Sequence, residues 1–175
     1  YWSDYTGVDL YHGPYQNETG SDGIGDTPHT LDPRNEDRFP LMGPISFFDA
    51  GTWNKTSHDV YIISNSTISN FHLNKTQRTV SFTVTGKDHT VGFCRVTIPN
   101  IIIQDLWQNN YTVLVDGNPI MANDWTDSTY TYIYFIYLHS EHEVVIIPEF
   151  PVMILPLFII IITLSAALLR KKIKP

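Results

Sequence analysis

The chain has 175 residues, and before its last six positions seven basic side chains stand against eighteen acidic ones. This balance disfavours nucleic acid or an anionic membrane surface as a partner. The single cysteine excludes an intrachain disulfide, so packing or a metal ion has to stabilise the fold.

Residues 1–43 form the first zone that composition separates from the rest. They hold six of the ten glycines, four of the eleven prolines and many acids, without a sustained hydrophobic period. Such turn chemistry is too irregular to build a core unaided. We therefore predict an irregular cap that leads into a folded domain.

An acidic, glycine-rich loop, NETGSDGIGD, lies within this cap. Calcium loops place oxygen ligands at alternate positions and a glycine at the sixth. With Gly23 at the sixth position, the predicted cofactor is calcium, bound by Glu18, Asp22 and Asp26. The pattern lacks a side-chain ligand at Gly20, and the alternative is an Asx-turn loop with solvated carboxylates.

Residues 44–147 contain short runs of β-branched and aromatic residues, separated by Asn, Asp, Gly and Ser, as in successive strands. In TVSFTVT, for example, Val80, Phe82 and Val84 alternate with Ser and Thr, the period of a half-buried strand. Seven or eight such strands predict a mainly β fold, an immunoglobulin-like β-sandwich. The stretch IPNIIIQDLW predicts a short helix or a loop across one end.

Aromatic residues are concentrated in this domain. We expect the strand YTYIYFIYL to be central, with its tyrosine rings packed inside the sandwich. Exposed aromatic rings also bind sugars, and surface glycans are therefore candidate partners. The candidate residues, which we expect in loops between strands, are Trp53, Trp107 and Trp125.

Two further segments carry reactive side chains. HSEHE, from His139 to Glu143, either offers ligands to zinc or copper or forms a polar turn. Cys94 alternates with Val96 and Ile98, which predicts a buried strand residue instead of a reactive thiol. No Ser-His-Asp, Cys-His or phosphate-cradling glycine pattern stands out, so we predict no enzymatic activity.

Five N-x-[ST] sequons precede the C-terminal region, and together they predict an exported, glycosylated surface. Their asparagines are Asn17, Asn54, Asn65, Asn74 and Asn110.

The C-terminal region predicts a membrane anchor. Residues 152–169 carry no charge, and as a helix they match the hydrocarbon thickness of a lipid bilayer. The basic tail, residues 170–175, favours the cytoplasmic side, so the preceding residues are predicted to lie outside a single-pass cell-membrane protein. A rigid, extended motif joins the sandwich to this helix: Pro148, Glu149, Phe150 and Pro151.

The chain begins with Tyr1, and no basic segment with a following apolar run precedes the cap. We expect the sequence to be the C-terminal piece of a longer protein or a mature form after cleavage.

Three stretches resemble parts of archaeal surface proteins. DGIGDTPHTLD and EDRFPLM, within residues 1–42, resemble the closing segment of NosD-like right-handed parallel β-helix proteins, a group associated with copper binding. FTVTGKDHTVGFCRVTIP and YTVLVDGNPI are similar to a β-sandwich module of such surface proteins. PEFP, the apolar run and the basic tail resemble PEF-type sorting signals. This last resemblance implies a membrane archaeosortase-like enzyme that cuts nearby and transfers the new terminus to a lipid.

These patterns favour a non-catalytic, extracellular, membrane-anchored module with a structural, adhesive or carbohydrate-binding role. Two alternatives stay open. The chain could be the C-terminal fragment of a β-helix enzyme that acts on polysaccharides. It could also be a metal-handling surface protein that holds its ion at HSEHE or in the acidic loop.

Overall fold

The computed structural model describes residues 1–13 and 15–149, and in those residues the fold is mainly β, as predicted. Residues 1–43, the cap, contain four short strands: β1 (Tyr11–His12), β2 (Glu18–Thr19), β3 (His29–Asp32) and β4 (Asn35–Asp37). The domain that follows contains β5 (Ile45–Trp53), β6 (Thr56–Ser64), β7 (Thr67–Asn74), β8 (Thr79–Thr85), β9 (Val91–Pro99), β10 (Tyr111–Val115), β11 (Asn118–Pro119), β12 (Asn123–Thr126), β13 (Tyr130–Leu138) and β14 (Glu141–Pro148). One helix, α1 (Asn100–Trp107), connects β9 to β10.

Two five-stranded antiparallel sheets pack face to face, as in a β-sandwich. The front sheet has the strand order β12-β13-β9-β6-β5, and the back sheet has the order β11-β10-β14-β8-β7. Both sheets contribute fully buried side chains to one core, such as Phe82 from the back sheet and Phe135 from the front sheet. The predicted alternation of β8 is confirmed, because Val80, Phe82 and Val84 are buried while their neighbours are partly exposed.

Strand β13 contains four tyrosines, and the prediction that their rings pack inside the sandwich is wrong for three of them. Its inward side chains include Ile133, Phe135 and Tyr137, which belong to the core. The alternate residues are Tyr130, Tyr132 and Tyr134, and they lie on the outer face of the front sheet because side chains of a strand alternate between its two faces.

Helix α1 closes one end of the sandwich, as the sequence predicts. It buries Ile102, Ile103, Leu106 and Trp107 against the core. At the same end, the Trp107 indole donates to the Arg78 carbonyl at 2.7 Å, which joins the helix to the back sheet. Lys75, in the turn between β7 and β8, donates to the Thr52 carbonyl of β5 at 2.8 Å, which joins the two sheets.

The chain leaves the sandwich beside this helix. The Glu149 amide donates to the Asn110 carbonyl at 3.1 Å, one residue beyond the last strand. We call this the exit end; it comprises α1, the turns at residues 54–55 and 75–78, and residues 108–110 and 149. The predicted membrane helix at 152–169, its basic tail, Phe150 and Pro151 lie outside the described residues. No helix within 1–13 and 15–149 is long and apolar enough to cross a membrane.

Candidate functional site

The cap packs on the outer face of the front sheet. Ile63, Phe93 and Tyr134 form a second buried apolar cluster there, and Leu41 and Met42 of the cap contact it. The cap therefore gains its hydrophobic contacts from the sandwich, which agrees with the prediction that it cannot build a core unaided.

A buried ion pair connects the cap to the sheet. Arg95 of β9 donates to the Asp22 backbone carbonyl at 3.1 Å, and its guanidinium lies 3.3 Å from the Asp22 carboxylate. The same carboxylate accepts hydrogen bonds from the Gln16 amide and the Ile24 backbone. Burial opposes both charges, so it raises the pKa of Asp22 and lowers that of Arg95.

The loop at Gly23 allows the cap to approach the sheet closely. Gly23 has a φ of +83°, and a Cβ atom there would lie 3.2 Å from the Phe93 ring and 3.4 Å from the Arg95 Cβ. Asp9 fixes the loop because its carboxylate accepts the backbone amides of Asp22 and Gly23 at 2.9 and 2.8 Å. A bulkier residue at position 23 would meet both backbone strain and crowding.

The environment of Asp9 predicts a pH-dependent stability. Burial raises the pKa of Asp9 from 3.8 to about 6, and the charges of Asp22 and Asp26 add to this increase. The folded state therefore holds a proton that the unfolded chain releases, and we expect the free energy of unfolding to fall as the pH rises from about 4 to about 6. Urea unfolding at several pH values measures this dependence. The free energy of unfolding should fall less steeply with pH in Asp9→Asn than in the parent protein.

Asp32 provides the control for that measurement. It is an exposed carboxylate in the cap whose pKa is lowered by hydrogen bonds, first by that from Asn35. In Asp32→Asn, the free energy of unfolding should change between pH 4 and 6 as it does in the parent protein. If the free energy of unfolding of Asp9→Asn depends on pH as that of the parent protein does, the role assigned to the Asp9 carboxyl is wrong.

A cleft of about 450 Å³ lies between the cap and the front sheet. Its apolar wall includes Ile24 and Phe39 of the cap and Trp125 and Tyr132 of the sheet. The Arg95 guanidinium lies over the rings of Trp125 and Tyr132, at 5.2 and 4.7 Å from their centroids. Mostly apolar clefts with a few fixed polar groups are the usual form of small-molecule sites.

Aromatic rings continue from this cleft across all but one strand of the front sheet. We call this row the aromatic stripe; it consists of Phe47, Tyr61, Tyr130, Tyr132, Trp125 and His12. Neighbouring ring centroids in the row are 5.2 to 6.4 Å apart. Phe47 is 63% exposed and the other five side chains are partly exposed, so the stripe presents an extended aromatic surface to solvent.

The three carboxylates predicted to bind calcium have different surroundings. Glu18 is exposed, Asp22 is paired with Arg95, and Asp26 accepts the backbone amides of Leu10 and Tyr11 at 2.6 and 3.2 Å. Within the described part of the chain, no three His, Cys, Asp or Glu side chains are grouped to hold a metal ion. The loop mainly ties the cap to itself and to the sheet, and calcium binding stays a prediction.

The tryptophans do not lie in loops as predicted, and two of them are in the core. Trp53 ends β5 and Trp107 ends α1; they are 6% and 3% exposed. Their indole N–H groups are bonded to Asp105 and to the Arg78 carbonyl. Neither ring therefore has a free face for a sugar. Trp125 lies on β12, is partly exposed and lines the cleft.

The histidines of HSEHE point to different partners. His139 contacts Ser66 at 2.8 Å and also Thr90, while His142 lies 2.7 Å from Asp116. No metal-holding group includes them among the residues that the structure describes. The contacts are those of a polar turn that links β13 and β14 to their neighbours.

A buried polar network around His139 was not predicted. Ser66 bonds both His139 and the Tyr137 hydroxyl, and Cys94 approaches that hydroxyl at 3.7 Å. Ser66 and His139 are each 7% exposed, and the other ring nitrogen of His139 bonds Thr90 instead of a carboxylate, so the pair lacks the surroundings of an activated nucleophile. The sequence gives no signal for the network because Ser66 and His139 are 73 positions apart.

Cys94 is a buried strand residue, as predicted. Burial raises the pKa of its thiol to about 11, which keeps it protonated at neutral pH.

The five sequons differ in what their side chains do. Asn65 donates to the Val91 carbonyl and accepts from the Phe93 amide, and Asn74 accepts the amides of Thr76 and Gln77. Asn17 is exposed in the cap. The remaining two, Asn54 and Asn110, are exposed at the exit end.

Half of the PEFP motif lies in the described residues. Pro148 ends β14 opposite Tyr111, and Glu149 is bonded to Asn110. The motif therefore begins at the exit end of the folded domain.

Comparison with known proteins gives no relative from which a function could be transferred. No family model, no curated protein and no solved structure matches this chain.

Proposed function

We propose that this protein is a non-catalytic, carbohydrate-binding module of an exported cell-surface protein. The observation that carries this proposal is the aromatic stripe, whose six rings run without a gap from Phe47 to His12. The apolar faces of sugar rings pack on aromatic side chains, and a row of such rings suits an extended glycan. The cleft beside Trp125 would receive one end of that chain.

The charges around the stripe disfavour an acidic glycan. Asp49 and Asp59 face each other across β5 and β6, two positions from the ring pair of Phe47 and Tyr61. Asp127 accepts the Tyr132 hydroxyl near the other end at 2.7 Å. Arg95, whose guanidinium lies over two rings of the stripe, is already paired with Asp22. A polyuronate would meet carboxylates there, so we propose a neutral or amino-bearing polysaccharide.

The wider context is part of the same proposal. We place an immunoglobulin-like sandwich after the end of a NosD-like β-helix in an archaeal surface protein. Residues 152–169 would anchor it in the cell membrane with the basic tail in the cytoplasm, and an archaeosortase-like enzyme would process the PEFP motif. The five sequons, the uncharged run and the basic tail support this context.

Replacing Tyr61 tests the stripe without disturbing the cap, since Tyr61 contacts Phe47 and Tyr130 on the open part of the row. We expect Tyr61→Ala to weaken binding of a neutral hexasaccharide, such as cellohexaose or chitohexaose, by about fivefold, because one aromatic contact contributes about 1 kcal/mol. Isothermal titration would measure the loss.

Tyr61→Phe is the matched control, because it keeps the ring and removes only the hydroxyl. It should bind within about twofold of the parent protein, given that the ring supplies the contact. If no neutral or amino-bearing oligosaccharide, including the surface polysaccharide of the source cells, binds the parent protein, the carbohydrate-binding function is wrong.

A further inference from the structure

A groove of about 400 Å³ lies at the exit end of the sandwich. All three residues of one sequon line it: Asn110, Tyr111 and Thr112. Ile120, Met121 and Ala122 contribute apolar side chains to its lining, and Asp124 and Glu149 contribute carboxylates. A sequon and a groove thus occupy the same place on the surface.

The groove has an exposed methionine and a fixed aromatic ring. Met121 is 92% exposed, although methionine usually packs against other apolar groups. The Tyr111 hydroxyl donates to Asp124 at 2.6 Å, and its ring contacts Trp107 at 5.4 Å between centroids. These contacts hold the Tyr111 ring in position beside Asn110.

The Asn110 side chain is the sequon amide best placed to use this groove. It is exposed, and its nitrogen donates one weak bond, to the Gln108 carbonyl at 3.2 Å. By contrast, Asn65 uses both ends of its amide to hold the start of β9. Asn54 is also exposed, but it does not line this groove.

We infer that Asn110 carries an N-linked glycan whose first sugars pack into the groove over Tyr111 and Met121. This inference rests on the proposed function in one respect, export to a glycosylated surface. In the transfer, the Asn110 amide nitrogen forms a bond to the anomeric carbon of the sugar and loses one proton. The bond from that carbon to the phosphate oxygen of a lipid-linked donor breaks. The apolar face of the attached sugar then covers side chains that are otherwise exposed to water.

The position of the glycan matters because the chain leaves the sandwich at the same point. The Asn110 carbonyl accepts the Glu149 amide, so a glycan at Asn110 would lie beside the first residues of the PEFP motif. It would restrict the approach of soluble proteases to that peptide from the side of the sandwich.

Methionine oxidation tests the packing directly on the full chain purified from its source cells. Hydrogen peroxide converts exposed methionine to the sulfoxide, and peptide mass spectrometry reports the rate at each site. We expect Met121 to oxidise several-fold more slowly in the parent protein than in Asn110→Gln. Met42, which packs against the second cluster under the cap, should oxidise at the same rate in both.

Asn54→Gln is the matched variant, since it removes a sequon at the same end that does not line the groove. It should leave the oxidation rate of Met121 unchanged. The same spectra give the occupancy of every sequon. A glycan on Asn110 without protection of Met121 would overturn the packing. An unmodified Asn110 beside another occupied sequon would overturn the inference and leave the exported surface protein intact. A protein with no glycan at any sequon would overturn the inference and also the glycosylated surface on which it rests.

Discussion

Arg95→Leu is expected to detach the cap and to lower the free energy of unfolding by about 3–5 kcal/mol, the usual effect of breaking a buried ion pair. Asp22 is 1% exposed, so in a docked cap without the guanidinium its carboxylate would be buried without its paired cation. The substitution also removes the cation from the rings of Trp125 and Tyr132. Urea unfolding measures the free energy, and hydrogen exchange over residues 1–43 shows whether the cap is the part that opens.

An exposed pair in the cap supplies the control. Arg38 lies 2.9 Å from Glu36, but the Arg38 side chain is 74% exposed. Arg38→Leu should change the free energy of unfolding by no more than about 0.5 kcal/mol, since water already solvates both charges. Combining Arg95→Leu with Asp22→Asn should recover part of the loss by removing the unpaired charge. Equal effects of the two arginine substitutions would show that Arg95 does not hold the cap.

Phe135→Ala is the second large effect that we expect, again about 3–5 kcal/mol of unfolding free energy. Phe135 is 1% exposed and lies in the core between the two sheets. Its removal loses a large apolar side chain and leaves a cavity that the antiparallel pairing of β13 with β9 prevents from collapsing. Thermal and urea unfolding would both report the loss.

The next residue tests the same strand from its other face. Ile136 is 59% exposed, so Ile136→Ala should cost no more than about 1 kcal/mol. A pair of substitutions one position apart thus distinguishes the two faces of β13. Similar losses at 135 and 136 would mean that the strand has another register.

The strands were predictable because their period is local. β8 alternates small polar and apolar residues, and that pattern alone identifies which side chains are buried. In β13 both faces are apolar or aromatic, so the pattern could not distinguish the core face from the outer face. The tyrosines were misplaced for this reason. The structure explains the tyrosines of the second face, because the cap covers Tyr134 while Tyr130 and Tyr132 belong to the stripe.

The candidate site was less predictable, since its residues meet only in the folded chain. Arg95 and Asp22 are 73 positions apart, and the stripe combines one residue of the cap with five residues of four strands. The sequence favours Trp53 and Trp107 for carbohydrate binding because they are expected in loops between strands. Their neighbours in space are the core and the exit end, which no short stretch of sequence encodes.

The place of β14 in the back sheet has a mechanical consequence. The strand lies between β10 and β8 and ends at Pro148, directly before the residues that lead to the proposed anchor. A pull on Glu149 would act along β14 and would load the hydrogen bonds to both neighbouring strands together, in shear. An edge strand would instead open one bond after another. Tension between a glycan bound to the stripe and the proposed membrane anchor would thus reach a strand that is hydrogen-bonded on both sides.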